Sequence, residues 1–434
     1  MNPSTRRLAL TAVVALGLAL RLGAAAALGL GAPPAPGSDQ KEYDTYAWNL
    51  AQGRGYRGMS PDVADRDHLT AYRPPGTSLA WAAIYRVVGR RYEAIRLFHC
   101  LVGAATILLV YHIGRDCGGE AVGLTAASAF AAYPLGLLYA SELLSETLGT
   151  FWLLAAVLAC LRLADRPSWG RTILAGGLLG MALLTRLNVT LLLPLVAAWG
   201  TWQLREAPRG RLMGLAVPAI AVGVLVPWAV RNYLIFHAFI PFSTMGGSVL
   251  LQGNNRIVVT DPRYFGGSPW DTAIPEYRDA LRSAGSELER DRVARKFAVE
   301  WLRDHPADWP FLAQAKLRRA WTPFLQPHAP LLYRAALLAS WGPILLLSGL
   351  AFLPTLALFL RAGHPGWLLH LVLLGYTLTS LIFFGNPRYR FPVEPLCMVL
   401  AAMAAWSVVA ALARGGVGWG VRFRRTRATS IGAT

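Results

Sequence analysis

Residues Leu8–Leu30 read LALTAVVALGLALRLGAAAALGL. A run this long and this apolar is membrane-spanning in character, since about 20 helical residues at 1.5 Å rise cross a bilayer's hydrocarbon core. The pattern recurs outward along the chain. Leu97–Ile113, Ala121–Ala140, Leu148–Leu161, Val189–Trp202, Leu212–Val230, Ala335–Leu360, Trp367–Phe384 and Val393–Leu412 approach or reach the same thickness, and Thr172–Leu184 is a shorter run of the same kind. Only 15% of the 434 residues are charged and 54% are hydrophobic, against about 25% charged in a soluble domain. The deficit is concentrated in these runs. The sequence therefore predicts an all-α polytopic membrane protein and excludes a soluble enzyme. Arg6 and Arg7 ahead of Leu8–Leu30, with Ala24–Ala27 near its end, have the outline of a cleavable signal. The length of the run and the spans that follow favour an uncleaved first helix.

The net charge of +18 is read as topological, because basic residues collect in short cytoplasmic loops. A nucleic-acid partner would need a basic domain clear of the membrane, and the sequence has none. Arg6 and Arg7 place the N-terminus inside; Arg414 and the tail Arg422–Arg427 place the C-terminus inside, near anionic lipid. The number of spans must then be even. Thr77–Val88 is short and interrupted by Arg86, so it is expected to lie on the outer surface as an amphipathic helix. About ten spans remain. The basic loops at Arg162–Arg171, Arg205–Arg211 and Arg361 then all fall inside.

This layout gives a membrane core over 1–230 with a first outer loop over 31–96. An extracytoplasmic region of mixed structure covers 231–334, C-terminal transmembrane helices cover 335–413, and a basic tail covers 414–434. Within the outer region Ser286–Asp304 reads as an amphipathic helix, with Leu288, Val293, Phe297 and Trp301 at near-helical spacing. Cys100, Cys117, Cys160 and Cys397 are far apart and lie mostly within apolar runs, which fits core residues rather than a disulfide framework or zinc site.

Ionisable residues at the edge of a membrane are costly, so each is a functional candidate. Three clusters fall on the outer side. Asp39-Gln-Lys-Glu-Tyr43-Asp44 follows the first span; a carboxylate there suits a general base or a metal ligand, or is simply a solvated loop acid. Tyr72-Arg73-Pro74-Pro75-Gly76 sets an arginine just before a helix start, which suits phosphate binding or an ordinary snorkelling arginine. Ser141-Glu142-Leu-Leu-Ser145-Glu146-Thr147 puts two acids four residues apart, on one face if helical. They suit a metal or a hydroxyl-rich substrate, and a helix-start acid favoured by the dipole is the plainer reading. Arg186, Arg231, Arg388 and Arg390 also stand at outer span ends, where the positive-inside rule does not account for them. Arginines facing outward with acids between them suit an anionic lipid-linked substrate.

In this order the clusters resemble the bacterial glycosyltransferase family 39, the protein-mannosyltransferase and aminoarabinose-transferase relatives of the GT-C superfamily. Asp39 with Tyr43 and Ala47 looks like the family's first-loop acidic motif, and Tyr72–Gly76 like its basic-Pro-Pro motif. Ser141–Thr147 resembles its second-loop acid. Leu183–Arg186, Trp228–Asn232, Gly246-Gly247 with Gly253–Asn255, and Asn386–Pro392 resemble later signatures. No single motif is specific; seven in order are. The resemblance covers most of the chain.

The resemblance implies a GT-C fold of about ten spans with juxtamembrane helices on the outer face. It also implies transfer of a hexose or pentose from a polyprenyl-phosphate donor to a lipid, glycan or protein acceptor outside the plasma membrane. Asp39 would be the catalytic base and Glu146 a second catalytic acid, at the acceptor or a metal. Arg73, with Tyr72, Arg388 and Arg390, would hold the donor phosphate. Glu142, Arg186 and Arg231 would contact substrate. The second acid is Glu where relatives often have Asp, and Glu142 offers a competing register. A divalent metal is left open, because metal dependence varies among relatives. The apolar spans would give the isoprenoid a greasy groove, and the long outer loop could bind the acceptor. The alternative is a transporter or flippase of lipid-linked glycans, which should show paired broken helices in two repeated halves; the sequence contains no such repeat. A non-enzymatic assembly partner of the cell envelope is a third reading.

Overall fold

A computed structural model describes residues 2–58, 68–324 and 330–414. The tail arginines Arg422–Arg427 lie outside the described residues. The first half is built from α1 (Pro3–Ala27), α2 (Asp39–Ala51), α3 (Gly76–Val88), α4 (Tyr92–Gly118), α5 (Glu120–Ala131), α6 (Pro134–Ser141), α7 (Glu146–Asp165), α8 (Trp169–Thr185), α9 (Leu192–Gln203) and α10 (Gly210–Phe236). After it come α11 (Gly246–Gly253), α12 (Glu287–Asp304), α13 (Trp309–Trp321), α14 (Leu331–Arg361), α15 (Leu368–Ile382) and α16 (Glu394–Arg414). Among the described residues there is no named strand; a single antiparallel bridge pairs Arg57 with Leu69. The described residues of 231–334, a region expected to be mixed, are therefore helices and turns.

Among the described residues, seven helices are long and apolar enough to cross a membrane: α1, α4, α7, α10, α14, α15 and α16, the last two with the short turns that lead into them. The pair α5 and α6 makes an eighth if counted as one span. The chain is a multi-pass membrane protein. The two remaining expected spans do form apolar helices, but α8 has 17 residues and α9 has 12. The count of ten thus remains an expectation. Close packing of these helices rests on small residues, as lipid supplies no hydrophobic drive between them. A Cβ on Gly176 or Gly180 of α8 would fall 2.7 and 2.6 Å from side-chain atoms of Ile220 and Val224 on α10.

Ala121–Ala140 is not the continuous span its hydropathy suggests. It bends by 53° between α5 and α6. Pro134 at the start of α6 has no N–H, and Tyr133 before it is extended. Two carbonyls at the bend accept from Arg21 of α1, which is fully buried. Its Nη1 donates to Ala131 O (3.1 Å) and its Nη2 to Phe130 O (3.2 Å). Arg21→Met should therefore destabilise the protein by roughly 1–3 kcal/mol for the Ala131 carbonyl it abandons, seen as a lower thermal midpoint in detergent, while Phe130 O keeps Tyr133 N. An unchanged midpoint would refute this account.

All four cysteines are free and buried. The expected amphipathic helix is α12, begun by Ser286, whose side chain accepts from Glu289 N. Its residue Glu287 reaches back to the first loop and accepts from Thr70 Oγ1 (2.6 Å) and Ala71 N (2.8 Å). Helix α12 is thereby tied to the segment that carries Arg73. Helix α3 forms where the surface helix was expected and packs mainly on α2.

Candidate active site

Helix α2 starts because Ser38 caps it and Asp39 and Glu42 lie in its positive first turn. Asp39 is thus fixed at a helix start. Arg73 arrives from the loop before α3 and is buried. Its Nη2 donates to Asp39 Oδ1 (2.7 Å) and its Nε to Glu42 Oε2 (2.6 Å). Its guanidinium also stacks over the rings of Tyr43 and Tyr72, at 5.4 and 5.5 Å. Arg388, 349 residues from Asp39, enters from the turn before α16 and donates through Nη1 to Asp39 Oδ2 (2.7 Å). The Nε of Arg388 donates to Glu146 Oε1. Arg186, at the end of α8, pairs with that same oxygen at 3.1 Å and donates to Ser145 Oγ at 2.9 Å.

The result is an alternating chain of charge: Glu42, Arg73, Asp39, Arg388, Glu146, Arg186. Three acids and three arginines from five separate stretches of sequence meet there. Burial alone would raise the carboxyl of Asp39, but the charges and hydrogen bonds of Arg73 and Arg388 outweigh it and hold the group at about 2. Burial works against the Arg73 cation, and Asp39 and Glu42 more than offset it, keeping its pKa above the usual arginine value.

The chain of charge borders a cavity of about 380 Å³, within the range of small-molecule sites. Its lining includes Asp39, Gln40, Tyr72, Arg73, Arg388 and Tyr389, together with Met245, Val249, Gln252, Ser268 and Trp270.

Several expected residues stand elsewhere. Arg390 is fully buried and turned away. It pairs with Glu394 (2.7 Å) and donates to Ala320 O and Thr322 O, so it braces α16 against α13. Arg231 donates to Thr70 O (2.6 Å) and Tyr56 O (3.0 Å) and stacks over Trp228, clamping the first loop onto α10. Glu142 and Glu146 do not share a helical face. Helix α6 stops at Ser141, Glu142 is extended, and Glu146 opens α7. Contacts from distant residues win here over local helix propensity. His99 Nδ1 lies 3.0 Å from the Glu142 carbonyl, and Leu143 N donates to Gln40 Oε1 (3.0 Å). Gln40 also donates to the Glu142 side chain. Glu142 is therefore linked to the site through Gln40, not paired with Glu146.

Gln40, Ser145 and Tyr389 fall inside the quoted motifs but received no role from the sequence, although each adjoins a residue that was singled out. Tyr389 lies under the Arg186 guanidinium at 5.3 Å. The donor set suits a metal poorly: among the described residues no group of three His, Cys, Asp or Glu side chains is placed to hold one. Asp39 and Glu146 are each engaged by two guanidiniums instead.

Residues 72–230 match the family model described as dolichyl-phosphate-mannose-protein mannosyltransferase. The matched stretch includes Arg73, Glu146 and Arg186. The oligosaccharyltransferase of Archaeoglobus fulgidus in the apo form superposes with a TM-score of 0.57 at 14% identity, over 98% of this chain and 54% of that one. The fold is of the GT-C type. A second structure, the archaeal oligosaccharyltransferase AglB from Archaeoglobus fulgidus with an inhibitory peptide and a dolichol-phosphate, gives 0.55 at 14% identity, over 94% and 51%. The chain thus spans about half the length of these oligosaccharyltransferases. ArnT from Cupriavidus metallidurans bound to undecaprenyl phosphate gives a TM-score of 0.45 at 16% identity, over 92% of this chain and 79% of that one, and adds nothing to the fold assignment. Comparison with curated protein sequences gives no match.

Proposed function

We propose that this chain transfers a hexose or pentose from a polyprenyl-phosphate donor to a lipid, glycan or protein acceptor on the outer face of the plasma membrane. The observation that carries the reading is Asp39 held between Arg73 and Arg388 at the border of the cavity. The family model over 72–230 and the GT-C fold support it. So does the dolichol-phosphate in the AglB structure.

The chemistry follows from the alternating charges. In glycosyl transfer the bond from the anomeric carbon to a phosphate oxygen breaks, and the phosphate leaves with the electron pair. Arg73 and Arg388 stabilise that developing charge. A new bond forms to the acceptor oxygen, whose proton must go to a base. Asp39 in its resting pairing is a weak base, because two guanidiniums hold its pKa at about 2. A phosphate that draws donors from those guanidiniums weakens this hold and makes Asp39 more basic. Donor binding and base activation are then one event. Glu146 is fully buried behind Arg388 and Arg186. We assign it to holding these arginines rather than to proton transfer.

The deciding experiment is mass spectrometry of envelope glycans and lipid-linked sugars from a strain lacking the protein. We expect a sugar-charged polyprenyl phosphate to accumulate while one glycan loses one residue. If lipid-linked sugar is instead misplaced across the membrane with every glycosidic bond still formed when it is supplied outside, the protein is a flippase and the reading fails.

A further inference from the structure

The residues lining the cavity are of two chemical kinds: Asp39, Arg73 and Arg388 are charged, while Gln252, Ser268 and Trp270 are polar or aromatic and uncharged. Trp270 is 56% exposed. It lies on none of the apolar spans, so a lipid-facing role within a span does not account for its exposure.

The backbone is anchored on both sides of it. Just before it, Gly266 has φ of +63° and sits so close to α13 that a Cβ would come within 2.3 Å of the Ala315 carbonyl carbon. The carbonyl of Gly266 accepts from Gly385 N at 2.9 Å, which ties this loop to the turn that carries Arg388. Just after it, Asp271 is buried and accepts from Arg290 Nη2 (2.9 Å) and from Thr272 N (2.8 Å). An aromatic side chain on an anchored backbone offers contact area at little entropic cost.

We infer that Trp270, with Gln252 and Ser268, forms a sugar-ring subsite, stacking on the C–H face of the pyranose that the donor phosphate carries. The inference rests on the proposed glycosyl transfer. The geometry fits that chemistry. The sugar of such a donor is one bond removed from the phosphate, so a phosphate held by Arg73 and Arg388 places the ring in this cavity. A pyranose has a C–H face for an indole and hydroxyls for an amide and a serine hydroxyl. The hydrogen bond from Gly385 N to Gly266 O joins the loop that leads to Trp270 to the turn that carries Arg388.

The test is equilibrium binding to the full-length protein in nanodiscs. The probes are bare undecaprenyl phosphate and undecaprenyl phosphate carrying mannose, glucose, galactose or arabinose. Wild type should bind at least one sugar-bearing lipid more tightly than the bare one. Trp270→Ala should remove that gain, about fivefold or more, and leave the bare lipid within about twofold. Trp270→Phe should keep most of the gain, which guards against a folding defect. The subsite is overturned if no sugar improves wild-type binding, if Trp270→Ala keeps the gain, or if that variant weakens bare and sugar-bearing lipid alike. Failure of wild type to bind bare undecaprenyl phosphate would instead strike the underlying transferase reading, and the subsite with it.

Discussion

Asp39→Asn should abolish sugar transfer, lowering turnover by roughly 10²–10⁴-fold, the usual contribution of a positioned general base. The amide is nearly isosteric but cannot take up the acceptor's proton. The surrounding framework should survive the change. Arg73 keeps Glu42 at 2.6 Å, and Arg388 keeps Glu146. Ser38 still caps α2. We therefore expect the variant to insert, purify as a monodisperse species and bind undecaprenyl phosphate at least as well as wild type, since one negative charge is gone from beside the phosphate site. Transfer assayed with purified protein against membrane yield separates the two effects. Full activity in this variant would sink the base assignment. Loss of activity together with loss of expression would show that Asp39 holds the fold and not the chemistry.

Which parts of this site could be read in advance depends on the range of the forces involved. Apolar runs are a local signal, and each predicted span has a helix, or a helix pair, at its position. The break before α6 was also local: Pro134 was visible inside the apolar run, and hydropathy outweighed it wrongly. The role of Arg21 was not legible, because the carbonyls it serves belong to residues 109 and 110 positions further along the chain. The same holds for the charged residues. Parity placed Asp39, Arg73, Glu146, Arg186 and Arg388 on one side, and the structure brings these five together. Arg390 differs from Arg388 by two residues, yet it faces Glu394 and α13 while Arg388 faces the cavity. The turn at Asn386–Pro392 decides this, and motif resemblance alone cannot say which arginine points where. Glu142 was misread because i,i+4 spacing pairs two acids only on an unbroken helix, and the contacts from His99 and Gln40 end that helix first.

Arg388→Ala should be the most damaging single change among the arginines. Arg73 and Arg388 both touch Asp39, but only Arg388 also reaches Glu146, so it joins the two halves of the charge chain. Two losses follow. The departing phosphate loses a charged donor, which typically costs about 10²–10³ in turnover. Among the described residues, Glu146, at zero exposure, then retains Arg186 as its one ionic partner. Removing one member of a buried ion pair costs about 3–5 kcal/mol. The Arg388 side chain is 27% exposed, so the stability loss should fall below that range. Arg388→Lys keeps the charge but not the planar fork that spans two carboxylates. It should recover part of the thermal midpoint and little of the donor affinity. The two losses can be separated with Arg388→Ala combined with Glu146→Gln, which removes the stranded charge. We expect that double variant to regain midpoint over Arg388→Ala alone while its undecaprenyl phosphate affinity stays low. If affinity returns together with the midpoint, Arg388 is a structural bridge and the donor phosphate is held by Arg73 without it.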